Sequence, residues 1–359
     1  MRIYNFAAGP AVLPLEVLKN VQKDLVEYEE SGMSVMEMSH RSQVYQTIID
    51  DAERNLRDLL DIPANYKVLF LQGGGTLQFS MIPLNLLKVK AGYINSGHWS
   101  IKAISEALKV GYVDILGSSE DKDFTYIPRI TNIPDKDLDY VYYCDNNTIF
   151  GTKFNYVPET KRPLVCDMSS CFLSEKVDVS KYGLIFAGAQ KNVGPAGVTI
   201  VIIRDDLLDS PSNLPTYLRY KIHADKNSLY NTPPAFNIYV CGEVFKWLKR
   251  IGGLDEIHKR DVGKAGLLYD YLDSSTFYTT KVEKESRSIM NVTFNTPSAD
   301  LDCEFVKDAE KMGLVNLKGH RVSGGLRASI YNAMPLDGVK ELVKFMDNFA
   351  KKHQKGQEK

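Results

Sequence analysis

One lysine lies among unusually small neighbours. Lys191 sits in Ala187-Gly188-Ala189-Gln190-Lys191-Asn192-Val193-Gly194-Pro195. The apolar run Tyr182-Gly183-Leu184-Ile185-Phe186 just before it reads as a buried strand. Glycine and alanine let a large group approach the backbone. A lysine removed from water loses its proton readily and can attack a carbonyl to form a Schiff base. The natural partner for that chemistry is an aldehyde cofactor, pyridoxal phosphate. A strand-end loop with a solvated lysine would leave the same string, because lysine is common in loops.

Two other segments could serve such a cofactor. Pro163-Leu164-Val165-Cys166-Asp167-Met168-Ser169-Ser170 is a second apolar run, and it ends in an acid. In open α/β sheets, ligands bind beyond the carboxyl ends of the strands. Asp167 and Lys191 would then mark two strand ends. An ionised Asp167 there can keep a pyridine nitrogen protonated, so that the ring draws electrons from a substrate carbanion. The other reading of Asp167 is a cap for the following turn. Gln72-Gly73-Gly74-Gly75-Thr76 lies between a strand-like run at 66–71 and the helix-like Gln78-Phe79-Ser80-Met81-Ile82-Pro83-Leu84. Glycines expose backbone N–H groups, and a helix N-terminus favours negative charge, so this loop could cradle a phosphate. It has neither the Gly-Lys-Ser/Thr of a Walker loop nor the G-x-G-x-x-G spacing. Three glycines in a row also make a plain turn.

The elements that must position these residues alternate. Strand-like runs occur near 67–71, 91–94, 111–116, 140–144, 163–167, 182–187 and 196–203, and helical patterns near 14–30, 44–60, 76–88, 98–109 and 235–250. Pro14 opens the first helix in the position that tolerates proline. This order predicts a parallel-rich sheet with helices on both faces. Ala196 to Ile203 is apolar almost throughout, as a strand buried on both faces should be. Beyond about residue 255 the pattern becomes helix (255–273), strand (289–295), helix (301–312), strand (325–331) and helix (337–352).

Composition narrows the function classes. The chain has 359 residues, a formal net charge of -1 and 25% charged residues. That length suits about two domains with a substantial core. Near-zero net charge argues against a nucleic-acid surface. No apolar run reaches the roughly 18 residues a membrane span needs. The start, Met1-Arg2-Ile3-Tyr4-Asn5-Phe6, shows no signal-peptide pattern. The 5 cysteines have no framework spacing and read as reduced thiols of a cytoplasmic protein. No metal-ligand spacing is present.

Longer strings carry a resemblance. They include Asn5-Phe6-Ala7-Ala8-Gly9-Pro10, Ser34-Val35-Met36-Glu37-Met38-Ser39-His40-Arg41, the Gly73-Gly74-Gly75 loop and the Lys191 segment. Asn231-Thr232-Pro233-Pro234, Lys318-Gly319-His320-Arg321 and Gly325-Leu326-Arg327-Ala328-Ser329-Ile330-Tyr331-Asn332 complete them. Nearly end to end, the chain resembles the phosphoserine aminotransferase family, fold-type I pyridoxal-phosphate enzymes of the class V aminotransferases. The resemblance implies an α/β fold with a large domain at 15–254, built on a mostly parallel seven-stranded sheet flanked by helices. A smaller α/β domain would comprise 1–14 and 255–359.

By the same resemblance, Lys191 is the Schiff-base lysine and Asp167 pairs with the ring nitrogen. Trp99 stacks on the ring, Thr148 bonds its hydroxyl side, and Gln190 hydrogen-bonds the cofactor. Gly74, Gly75 and Thr76 bind the phosphate, joined by Asn231 and Thr232 of the partner in a homodimer. Arg327 clamps the substrate α-carboxylate in two parallel bonds. His320 and Arg321, with His40 and Arg41 of the partner, hold the distal anion. The implied substrates are L-glutamate and 3-phosphohydroxypyruvate, each with two acidic ends, and the implied products are 2-oxoglutarate and O-phospho-L-serine. The related keto acid of vitamin B6 (pyridoxine) synthesis fits the same clamps. Lys191 would act as the single general acid/base. Similar proteins often carry glycine where this chain has Leu77, which puts the shape of the phosphate loop in question. A pyridoxal-phosphate lyase or desulfurase, or a non-catalytic binding protein, are the readings from other classes. The first would need a mobile catalytic cysteine, which none of the five supplies.

Overall fold

A computed structural model describes residues 2–131, 133, 137–209, 211 and 213–354. Of the polar stretch from His353 to Lys359, only His353 and Gln354 are among them. The chain runs β1 (Tyr4–Asn5), α1 (Leu15–Lys23), α2 (Gln43–Leu60), β2 (Tyr66–Leu71), α3 (Gly74–Leu86), β3 (Lys90–Asn95), α4 (His98–Ala107) and β4 (Tyr112–Ser118). It continues with β5 (Val141–Cys144), β6 (Leu164–Asp167), β7 (Leu184–Gly188), β8 (Thr199–Arg204), α5 (Tyr220–Asp225), α6 (Ala235–Arg250) and α7 (Gly253–Ser274). Last come β9 (Asn291–Phe294), α8 (Ala299–Lys311), β10 (Leu314–Val315), β11 (Leu326–Ser329) and α9 (Leu336–Gln354).

Among the described residues the main sheet has 7 strands in the order β2-β8-β7-β6-β5-β3-β4. Strand β8 is antiparallel to β2 and β7, and every other neighbouring pair is parallel. The carboxyl ends of β2, β3, β5, β6 and β7 therefore share one edge, where a parallel-rich sheet offers its binding crevice.

The strands are buried on both faces, which explains their continuous apolar runs. Side chains alternate between the two faces. Leu164, Cys166, Ile185, Ile200 and Ile202 pack with Ile48, Leu56, Ile238 and Phe245 of α2 and α6. Val165, Leu184, Phe186, Val201 and Ile203 pack with Phe79 and Ile82 of α3, Ala103 of α4 and Tyr220 of α5. Asp167, one step beyond Cys166, projects toward the α3–α4 side. A third cluster joins Phe6 to residues of α7, α8 and α9 and of β9 to β11. There β1 pairs with β10 in parallel, and β9 with β11 antiparallel.

Three expectations need correction. The helix predicted over 14–30 stops at Lys23. Leu25 and Val26 face solvent, so the apolar stripe ends, and the Tyr239 hydroxyl donates to Asp24 at 2.7 Å where the helix finishes. Pro14 is the cap before the first helical turn rather than its first residue. The strand predicted from 196 starts at Thr199, because Gly197 turns at a φ of 122°.

Candidate active site

The shared strand edge opens into a cavity of about 360 Å³. Gly74, Gly75, Thr76, Trp99, Thr148, Asp167, Gln190, Lys191, His320 and Arg327 all line it. All but His320 and Arg327 lie at or just after a strand end or at a helix start. Gly74 to Thr76 open α3 just after β2, and Trp99 lies in the first turn of α4 just after β3. Thr148 follows β5, Asp167 ends β6, Lys191 follows β7, and Arg327 lies in β11.

The glycine turn is a helix start. Gly73 caps α3 at a φ of 89°, and Gly74 follows at 65°. A Cβ on Gly73 would lie 2.5 Å from Leu77 Cδ2, so both the backbone angle and the space require glycine there. Leu77 sits inside α3 with a negative φ, its N–H donating to the Gly73 carbonyl at 3.3 Å. Leucine is unstrained at this position, and the doubt about the loop's shape falls away. No side chain caps α3, which leaves its first N–H groups for an anion.

Asp167 is 6% exposed. Its Oδ1 accepts from the Ser169 backbone N–H at 2.9 Å and from the Ser169 hydroxyl at 2.6 Å. The other oxygen has no partner among the described residues. Burial pushes the carboxyl up from its ordinary value, against the pull of Lys191 and the Ser169 bonds. Lys191 donates from Nζ to Thr148 Oγ1 at 2.7 Å and lies 5.5 Å from the Trp99 ring centroid. Burial draws its amine down; Asp167 opposes this and Arg327 reinforces it. An acid held up and an amine held down, facing one cavity, is the electrostatic pattern of a site built for proton transfer.

Thr148 joins that amine to Arg327. Its hydroxyl meets Lys191, and its carbonyl accepts from Arg327 Nη1 at 2.9 Å. Trp99 closes one wall, and its buried Nε1 has no acceptor among the described residues. Gly9 brings the N-terminal segment over the lysine, where a Cβ would stand 3.3 Å from Lys191 Cγ.

His320 carries cationic neighbours. Its ring is 5.8 Å from that of His98, and burial first, then Arg327, His98, Arg321 and Lys102, lowers its imidazole. Sequence reasoning missed His98 and Lys102, although the one-turn spacing of Lys102 from Trp99 was visible. It also gave no role to Ser169, Gly9 or Ser170, whose hydroxyl meets Thr148 Oγ1 at 2.8 Å.

Five predicted residues do not line the cavity of their own chain: His40, Arg41, Arg321, Asn231 and Thr232. Arg321 is close enough to act on both histidines. The Thr232 carbonyl accepts from Gln72 Nε2 at 3.4 Å, beside the glycine turn. None of the five cysteines lines the cavity; four are buried, and Cys303 is exposed. Among the described residues no helix is long and apolar enough to cross a membrane, and no cluster of metal-ligating side chains is present.

Comparison with known proteins places this geometry. Residues 3–342 match the family model of the class-V aminotransferases. A phosphoserine aminotransferase of Listeria monocytogenes is 53% identical over 359 residues, covering 99% of both chains. One from Bacillus cereus is 55% identical over 353 residues, covering 97% of this chain and 98% of its own. The solved phosphoserine aminotransferase of Bacillus circulans subsp. alkalophilus superposes with a TM-score of 0.96 at 48% identity, over 98% of this chain and 99% of its own. The pyridoxal-phosphate-bound enzyme of Trichomonas vaginalis gives 0.90 at 38% identity, over 96% and 100%.

Proposed function

The chain belongs to the class-V aminotransferases, and from that premise we propose how its cavity works. It is a pyridoxal-phosphate-dependent transaminase of serine biosynthesis. It moves the amino group of L-glutamate to 3-phosphohydroxypyruvate, giving O-phospho-L-serine and 2-oxoglutarate. The observation that carries this reading is the Lys191 amine and the Asp167 carboxylate facing one cavity, with an uncapped helix start at one end and Arg327 at the other.

The residues present fit the cofactor. The first turn of α3 suits a phosphate, the Trp99 indole suits a flat ring, and the free oxygen of Asp167 suits a ring N–H. When bound, pyridoxal phosphate supplies an aldehyde that condenses with amines and a ring that takes up electrons from the substrate Cα.

The protein's part follows from its own groups. Arg327 receives the α-carboxylate on the edge that Thr148 leaves open, which fixes the Cα beside Lys191. Lys191, its amine drawn down by burial, removes the Cα proton on Nζ and later returns it. Thr148 Oγ1 holds that amine in place between the two transfers. Asp167, its Oδ1 held by the Ser169 N–H and hydroxyl, would turn its other oxygen to the ring N–H and keep that nitrogen protonated. His320 and Arg321, with His98 and Lys102 beside them, face the distal anion.

The remaining assignments extend this reading. His40 and Arg41 form no ion pair among the described residues, and with Asn231 and Thr232 they serve the cavity of a second copy in a homodimer. Residues 15–254 form the cofactor-binding domain, and 1–14 with 255–359 the smaller one. Buried unpaired thiols suit the reducing cytoplasm.

A half-reaction tests the reading. Glutamate should bleach the visible cofactor band, and 3-phosphohydroxypyruvate should restore it far better than hydroxypyruvate. A band that glutamate leaves untouched, or equal use of the two keto acids, would overturn it.

A further inference from the structure

We propose that Asn192 and Asn332 act as one positioning unit that sets the Lys191 amine, the Asp167 strand end and the Arg327 clamp in mutual register. The proposal rests on the transaminase reading of the cavity and goes beyond it, because neither side chain lines that cavity.

The bonds are buried and reciprocal. Asn192 directly follows Lys191 and is 6% exposed. Its Nδ2 donates to the Phe172 carbonyl at 2.7 Å and to Asn332 Oδ1 at 2.9 Å. Its Oδ1 accepts from the Asn332 backbone N–H at 2.9 Å. Asn332 donates from Nδ2 to the Leu173 carbonyl at 2.8 Å. Phe172 and Leu173 lie in the turn that begins just after Asp167, and Asn332 lies three residues beyond β11. Two amides thus join all three segments that carry the chemistry.

Two further features show that the linked segments are held rather than merely packed. Leu173 has a φ of 60°, a conformation a bulky residue adopts only when its surroundings impose it. Its carbonyl is the one that Asn332 engages. The exit of β11 is fixed independently, because Lys264 Nζ donates to the carbonyls of Ile330 at 3.0 Å and Tyr331 at 2.7 Å, and the Tyr331 hydroxyl donates to Ala8 at 2.8 Å. On the cavity side, Thr148 spans from Lys191 to Arg327. The amide pair closes the same circuit from behind. Apolar side chains could fill that space, but they would not fix a register, because only directional bonds resist a slide of one segment along another.

The test uses the holoenzyme at saturating cofactor with Asn192→Ala, Asn332→Ala and the double variant. Asn55→Ala is the control; Asn55 is 7% exposed and bonded within α2 and to Lys249, away from the cavity. A displacement near 1 Å at a reacting centre costs up to about 100-fold. Each single variant should therefore lower kcat roughly 10- to 100-fold with a smaller change in KM. The double variant should cost no more than the worse single one. The visible circular dichroism of the substrate-free holoenzyme should change in both single variants and not in Asn55→Ala. If the alanine variants fail to fold, Asn192→Ser and Asn332→Ser take their place. Additive losses, an unchanged kcat, or a kcat that only follows the melting temperature as in Asn55→Ala would overturn the interlock. A wild-type protein that fails the glutamate half-reaction overturns the reading beneath it instead.

Discussion

Arg327 offers the sharpest quantitative test of the clamp. Its Nη1 is already given to the Thr148 carbonyl at 2.9 Å. The edge formed by Nε and Nη2 remains, and that edge can make two parallel bonds to a carboxylate. Arg327→Lys keeps the charge but offers one ammonium, for which the Thr148 carbonyl then competes. One directed bond of the pair is lost. A hydrogen bond to a charged group is worth about 1.5–3 kcal/mol, and about 1.4 kcal/mol is tenfold. KM should therefore rise roughly 10- to 150-fold by these values. The factor should be equal for glutamate and 3-phosphohydroxypyruvate, since both present the same carboxylate to Arg327. His320→Ala, acting at the distal end, should separate the two substrates. Steady-state kinetics with each substrate varied in turn measures both effects. An unchanged KM for both, or a rise confined to one, would refute the assignment of Arg327 to the α-carboxylate.

The other predictions concern the lysine and two buried titratable sites. Lys191→Ala should abolish turnover while still holding cofactor non-covalently; borohydride reduction followed by peptide mapping should find no pyridoxyl label, and normal turnover would refute the role. Lys264 and Asp261 pair at 2.8 Å with side chains 3% and 0% exposed, so Lys264→Met leaves a buried acid without its partner. Urea unfolding should show a loss of about 3–5 kcal/mol, and a loss below about 1 kcal/mol, as for an exposed pair, would count against it. His223 is buried with Nε2 2.7 Å from the Tyr217 carbonyl, and burial lowers its imidazole. Its folded value lies below the unfolded one, so its stability contribution is complete above about pH 6.5 and declines as pH falls below that. Melting temperatures between about pH 8 and pH 5, which bracket the unfolded value, should fall less steeply for His223→Gln than for wild type; equal slopes would sink the assignment.

The strands were legible because a sheet covered on both faces demands unbroken apolar runs, and Leu184 to Phe186 or Ile200 to Ile203 can satisfy little else. The chemical residues were legible for a related reason. Asp167 and Lys191 sit where such runs end, and a parallel sheet gathers those ends on one edge whatever the loops between them do. The apolar pattern runs on past Lys23 where helix α1 stops, and Val26 there is largely exposed. His40, Arg41, Asn231 and Thr232 mark a different limit, since a cavity they do not line in their own chain gives no local reason for their placement. Asn192 and Asn332 were beyond reach in principle. They are 140 residues apart, and their bonds follow no helical or strand period. An asparagine after a strand reads as a turn residue. Only the folded chain shows that these amides satisfy each other and the carbonyls behind Asp167. Periodicity reports which face of an element is buried; it carries no information about which buried polar groups meet, and such meetings set the register of a site to fractions of an ångström.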